Sequence, residues 1–366
     1  MRLSKPAALL LAAFSLAIAA PRAASAQESP VGERHLVAVN PTAALRDADH
    51  KTTVRVTVWY PAAEGSEETS LDIGPPGQAM FYVGSAAPNA PFADTRRRPV
   101  ILFSHGFGGT ARIMAWFTTV MAQQGYVVIA VDNPGNNSVD KPTLAGAVLL
   151  WDLPGDLDAA LEAARLDPVI GPHLDLRRLG VAGFATGGLT ALEAAGARFD
   201  LARLREFCAT HPDDGVCRPQ PEFPVTQEQA AAALASPELA SEAARAGDDH
   251  SIRGVKAVFA MAPAFVQALD PASLEAMNTP VSIVLGEADQ VAPPHTNGGV
   301  AARLIPQAQM KALPGVGHYD FLAACTPAAM QRQVPVCMDL QTPQGPTHVA
   351  ALQQALVFFG RTMGLP

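Results

Sequence analysis

Leu179-Gly180-Val181-Ala182-Gly183-Phe184-Ala185-Thr186-Gly187-Gly188-Leu189 carries a short apolar run into a glycine-rich turn and out into helix-favouring residues. Leu179 to Ala182 reads as a buried strand and Leu189 to Ala197 as a helix, so the glycines mark a sharp strand-to-helix junction. A Gly-x-Ser-x-Gly turn at such a junction holds its central residue in a strained conformation. The flanking glycines let neighbouring backbone pass without a Cβ clash. Gly183-x-Ala185-x-Gly187 keeps that spacing but places alanine at the centre. A dinucleotide-binding turn would need Gly-x-Gly-x-x-Gly and an acidic residue after a second strand, and neither is present.

Outward from this turn, strand and helix patterns alternate. Thr53 to Tyr60 alternates polar and apolar residues before Pro61, and Pro99 to Ser104 and Tyr126 to Val131 are continuous apolar runs. Such runs suit parallel strands buried on both faces. Val255–Met261, Val281–Leu285 and Gln309–Leu313 repeat the pattern. Helical spacing covers Ile113–Gln124, Asp156–Leu166 and a closing stretch, Val349–Met363. The order predicts an α/β fold with a mostly parallel, doubly wound sheet. Ala62 to Thr95, rich in Gly, Pro, Ser and Ala, reads as a long surface excursion. Leu201 to Ser251 breaks the alternation with a cysteine pair and an Ala-rich helical region around Glu228 to Ala246. An insertion at this point is expected to form a helical cap beside the site. No internal repeat is visible, and residues 27–366 read as one domain.

Residues 1–26 read as a cleaved export signal. Arg2 and Lys5 precede the apolar Ala7–Ala20, and Ala24-Ser25-Ala26 supplies the small-x-small cleavage pattern. That run falls short of the ~20 apolar residues of a membrane span, so a periplasmic or secreted protein without a span is expected. Four cysteines fit that compartment. Their local spacing favours disulfides Cys208–Cys217 and Cys325–Cys337, and no Cys-x-x-Cys or nearby His pair supports zinc. The formal charge of −8 and the lone basic triplet Arg96-Arg97-Arg98, read as a solvated strand entry, argue against nucleic acid as a partner.

Residues able to work with the turn follow it in the chain order nucleophile, acid, histidine. Asp289, past the end of a buried strand, is the acid candidate; Glu287 is the weaker one. Its role would be to hold the imidazole in the productive tautomer. His318, in the loop after the last strand, is the base candidate. Two backbone N–H groups, of Phe107 and Thr186, are the candidate oxyanion hole. His105 is read as bracing the Phe107 loop, and the remaining histidines as ordinary surface residues. Neither Thr186, one residue past the apex, nor Ser104, at a strand end, is expected to replace a serine. No metal or organic cofactor is implied.

The segments VTVWYP (56–61), ILFSHGFGG (101–109), YVVIAVDNPG (126–135), GVAGFATGG (180–188), VLGEADQVAP (284–293) and LPGVGHYDFL (313–322) resemble the α/β-hydrolases. They are most similar to the platelet-activating-factor acetylhydrolase-like and dienelactone-hydrolase-like branch. Secreted polyester hydrolases and enzymes cleaving oxidised polyvinyl alcohol are built similarly. The resemblance implies a serine-type hydrolase of carboxylic esters or related acyl bonds, working through an acyl-enzyme on a small-molecule or polymeric substrate. Ala185 departs from it and predicts an inactive chain. Two accounts of Ala185 stand open: a serine replaced in an active parent, or a natural pseudoenzyme that kept the scaffold for binding.

Overall fold

The computed structural model describes residues 29–364; the expected signal lies outside them. Eight strands form the body of the sheet: β1 (Val31–Val39), β2 (Thr53–Pro61), β3 (Arg98–Ser104), β4 (Val127–Asp132), β5 (Leu174–Phe184), β6 (Val255–Met261), β7 (Val281–Gly286) and β8 (Ala308–Leu313). Their order is β8-β7-β6-β5-β3-β4-β2-β1, extended at one edge by Ser85–Pro88 and then Thr69–Ser70. From β8 to β4 every neighbour pair is parallel, while β2 runs antiparallel to β4 and β1 antiparallel to β2.

Seven helices matter for the site: α1 (Ala115–Gln123), α2 (Leu153–Leu166), α3 (Thr186–Glu193), α4 (Leu201–Thr210), α5 (Gln227–Leu234), α6 (Gly298–Leu304) and α7 (Gln344–Met363). The pleat of the sheet sends alternate residues to opposite faces. Val100 and Leu102 of β3 pack with Leu157 of α2 and Leu189 of α3, whereas Ile101 and Phe103 pack with Phe117 of α1 and Phe359 of α7. Both faces are therefore covered, which explains the unbroken apolar runs of the parallel strands.

The differences from the sequence reading have local causes. β1 escaped notice because Glu33, Arg34 and His35 interrupt any apolar pattern along it. β5 is longer than Leu179–Ala182 because the charged Asp175, Arg177 and Arg178 pair with one another in its first half. α3 begins at Thr186, inside the glycine turn, since the two glycines form its first turn. α7 begins five residues early, at Gln344. The Ala-rich stretch of the insertion is two helices, α5 and the short Ala240–Ala243, broken near Pro237. The 62–95 excursion is partly structured: it supplies the edge strands, and Phe81–Tyr82 pairs with Ala324–Cys325. Of the arginine triplet, Arg98 is buried and bonded to Asp94 at 3.0 Å, so only Arg96 and Arg97 form a solvated entry. Both expected disulfides are present, which removes the zinc alternative for the cysteines.

A polar cluster lies between β1 and the insertion. Arg46, fully buried, donates from Nη1 and Nη2 to the two oxygens of Asp156 at 2.7 Å each, and Asp152 lies 3.9 Å from its Nε. Burial raises the Asp152 carboxyl to about 7, with the nearby Glu242 acting the same way and Arg46 opposing it. The folded chain thus holds a proton that the unfolded chain gives up near pH 4. The contribution of Asp152 to stability is therefore lost as pH rises from 4 to 7 and levels off above. Asp152→Asn is expected to flatten that slope and raise stability at pH 8 by on the order of a few kcal/mol. Denaturant midpoints at pH 5 and pH 8 would settle it, and an unchanged slope would refute it.

Candidate active site

The turn between β5 and α3 does what the glycine spacing predicts. Ala185 sits at φ 53°, ψ −116°, a left-handed conformation that costs a residue with a Cβ on the order of 1–3 kcal/mol. The surroundings fix it: Ala185 N–H donates to the Met261 carbonyl at 3.0 Å, and its own carbonyl accepts from Ala264 and Gly188 at 3.1 and 2.9 Å. The flanking glycines are required by contact. A Cβ on Gly187 would stand 2.0 Å from the Ser104 carbonyl oxygen, and one on Gly183 2.0 Å from the Gly187 oxygen.

His318 follows β8 and Asp289 follows β7, neighbouring parallel strands whose C-terminal loops must lie together. His318 Nδ1 is 2.7 Å from Asp289 Oδ2, with both residues buried. The other oxygen, Oδ1, accepts from the N–H groups of Val291 and Ala292 at 2.9 and 2.7 Å, so the carboxylate is held at both ends. Glu287, the weaker acid candidate, points into solvent.

One residue unnoticed in the sequence stiffens this corner. Asp320, fully buried, accepts from Gly317 N at 2.8 Å and from Gln341 N, Thr342 N and the Thr342 hydroxyl at 2.9 to 3.0 Å. The loop before His318 is thereby sewn to the segment leading into α7.

A cavity of about 220 Å³ opens over these groups, bordered by Ala185, His318, Phe107 and Thr186. Thr186 is the first residue of α3, where a backbone N–H has no acceptor within the helix. The Phe107 loop is braced from behind by His105. Its Nδ1 donates to the Gly106 carbonyl at 2.6 Å and its Nε2 accepts from Asn133 N–H at 3.2 Å. Burial holds this imidazole below its usual range, hence neutral and fit for both roles. Ser104 is fully buried beside the Asn133 amide and does not border the cavity, whereas Thr186 does.

The cavity has walls the sequence did not announce. Phe81 reaches it from the 62–95 excursion and Val336 from the loop closed by Cys325–Cys337. Val216, Gln220 and Glu222 reach it from the insertion. Glu222 packs at Gly108, and burial pushes its carboxyl above the usual range. It faces Tyr319, whose buried hydroxyl is raised by burial and by that same charge. The turn Gly215–Cys217 touches the acid loop: a Cβ on Gly215 would stand 2.1 Å from the Gln290 carbonyl oxygen.

These elements stand where one fold family places them, with the contributing loops at the C-terminal ends of β3, β5, β7 and β8. A profile described as Alpha/beta hydrolase family matches residues 101–329. The chain belongs to this family. A second profile, Platelet-activating factor acetylhydrolase, isoform II, is similar to residues 48–140 of the hydrolase. Among solved structures it resembles a ferulic acid esterase from Streptomyces cinnamoneus at 20% identity and a TM-score of 0.62, over 93% of this chain and 92% of that one. That likeness concerns the fold. No curated protein matches the sequence significantly.

One histidine departs from the reading as a surface residue. His348 on α7 is half-buried, stacked on Trp116 with ring centroids 3.8 Å apart, and its Nε2 donates to the Leu322 carbonyl at 2.7 Å. Burial lowers it to about 4. Below pH 6.5 the unfolded chain binds a proton that the folded chain refuses, so this residue alone removes on the order of 3 kcal/mol of stability between pH 6.5 and 4, opposite in sign to the Asp152 contribution. His348→Phe keeps the stack and is expected to flatten this acid limb in thermal melts. A limb of unchanged steepness would contradict the assignment.

Proposed function

We propose that the protein is an exported hydrolase scaffold for carboxylic esters or related acyl bonds, with Ala185 at the nucleophile position, Asp289 as acid, and His318 as base. Phe107 and Thr186 supply the oxyanion-hole N–H groups, and the Leu201–Ser251 insertion caps the site. The observation that carries this reading is the buried 2.7 Å His318–Asp289 pair, whose imidazole borders the same cavity as the strained turn at Ala185. With a serine at 185, His318 Nε2 would take the hydroxyl proton as the oxygen attacks the ester carbonyl. The oxyanion would fall between the two N–H groups, and the proton would pass to the departing alcohol. A water activated by the same histidine would then release the acid. With alanine there is no attacking oxygen and no acyl-enzyme, so the chain as it stands binds substrate without turning it over.

Export is supported by the N-terminal signal pattern and by two disulfides, which persist in oxidising compartments. No helix among the described residues is long and apolar enough to cross a membrane. The second reading, a pseudoenzyme that binds a small molecule or polymer, is favoured by Ala185 itself. An ester panel on Ala185→Ser protein separates them: turnover supports the hydrolase, and folded, silent protein supports the binder.

A further inference from the structure

Beside the cavity that holds Ala185 lies a second chamber of about 100 Å³. Phe107, Val216, Gln220 and Phe265 border both and form the partition between them. Phe265 is itself held at φ 58°, ψ 20°, a left-handed conformation that is strained for a residue of its size. The chamber lies between the core and the insertion. Val148 and Leu150 line it from the core, and Leu201, Leu204, Phe223 and Leu234 from the insertion. Cys208–Cys217 fixes its shape, because it joins α4 to the turn carrying Val216, and both line it.

The polar residues of the chamber are already engaged. Gln220 donates to the carbonyls of Gly215 and Arg218 at 2.9 Å each, and Gln227 to that of Cys217 at 3.1 Å. The Thr226 hydroxyl caps α5 by accepting from Gln229 N–H at 3.2 Å. What remains is hydrocarbon, with two exceptions, Arg205 and Arg218. No ion pair of Arg205 is found among the described residues, and Arg218 reaches the exposed Asp213 at 3.5 Å. No carboxylate lines the chamber. In a chain of net charge −8, two cations around an apolar hole without a carboxylate mark a place for a negative group.

We propose that the second chamber receives an apolar limb of the ester, passed between Phe107 and Phe265 and ending in a carboxylate near Arg205 and Arg218. This rests on the reading of the first cavity as an ester site and names the substrate class: esters whose one side is a short hydrocarbon chain with an anionic end. Each methylene buried there should tighten binding about fourfold until the chamber is full.

The chain as it stands suits the test, because Ala185 leaves binding without turnover. The probes are methyl esters of straight-chain acids of four to ten carbons, and monomethyl esters of the dicarboxylic acids of the same lengths, titrated by ligand-observed NMR. Occupancy is read whichever side of the ester bond the limb lies on. Affinity is expected to rise with length and then level off. Because Arg205 and Arg218 are exposed, the terminal carboxylate should add a fewfold gain, lost in Arg205→Ala/Arg218→Ala and weakened by salt. Ala230→Trp, which fills only the second chamber, should abolish the length dependence while leaving methyl butanoate within twofold. Ala147→Phe fills it from the opposite wall should the first variant fail to fold, as circular dichroism will show. Length dependence surviving in a folded, filled variant, or an equal affinity for neutral and carboxylate-ended chains, overturns the proposal and leaves the ester site standing. Methyl butanoate binding to none of the proteins, with Ala185→Ser inert, takes the ester site down as well.

Discussion

Ala185→Ser is expected to hydrolyse 4-nitrophenyl esters about a millionfold faster than the chain as it stands, the span covered when a triad serine is removed from a well-studied protease. The proposed acid and base are already held beside the turn that would carry such a serine. Its backbone is fixed by hydrogen bonds to Met261 and Ala264, and His318 is gripped by an Asp289 carboxylate that is itself tied to two N–H groups. The new hydroxyl projects into a cavity, so it adds little steric cost. On this background His318→Ala should return the rate to baseline. Asp289→Asn should remove about 10⁴ of it by presenting the wrong tautomer. Initial rates with purified, folded variants decide the matter. Activity that survives His318→Ala would mean another base, and none in folded Ala185→Ser would remove the ester reading.

Arg46→Met should unfold the protein more readily than any surface substitution, at a cost of about 3–5 kcal/mol. The guanidinium is fully enclosed and bonded to both oxygens of Asp156. Its loss leaves that carboxylate with the Asn40 amide at 2.8 Å and no positive charge within bonding distance among the described residues. Arg46→Met/Asp156→Leu should recover most of the loss, because both charges of the bonded pair go together and Asp152, without Arg46, is pushed further toward its neutral form. Urea unfolding of the two variants checks both halves. A double variant as unstable as the single would show that the pair acts through more than its charges.

Much of this was legible in the sequence. The parallel core was readable because strands buried on both faces are forced into continuous apolar runs, and the turn at Ala185 because backbone contacts exclude all but glycine at 183 and 187. Asp289 and His318 were readable because they come at strand ends in a fixed order. Asp320 was not, since an acid beside a histidine gives no sign that it will be swallowed and bonded four times. His348 was missed for a related reason: its partner Trp116 is far away in sequence. The cavity walls from Phe81, Glu222 and Val336 depend on where loops fall, and loops carry no period. Still, the apolar run Met80-Phe81-Tyr82-Val83 within a segment rich in Gly, Pro, Ser and Ala was a readable signal.

The loop after β3 is complete near residue 110, the turn at Ala185 by 190, and the His318 corner only when Gln341 and Thr342 reach Asp320. A growing chain therefore carries no working fragment of the site until nearly its last helix has been made. Truncated products, however well their first strands pair, hold a turn with no partner. The proposed site, a binding site while alanine stands at 185, is therefore completed only late in assembly.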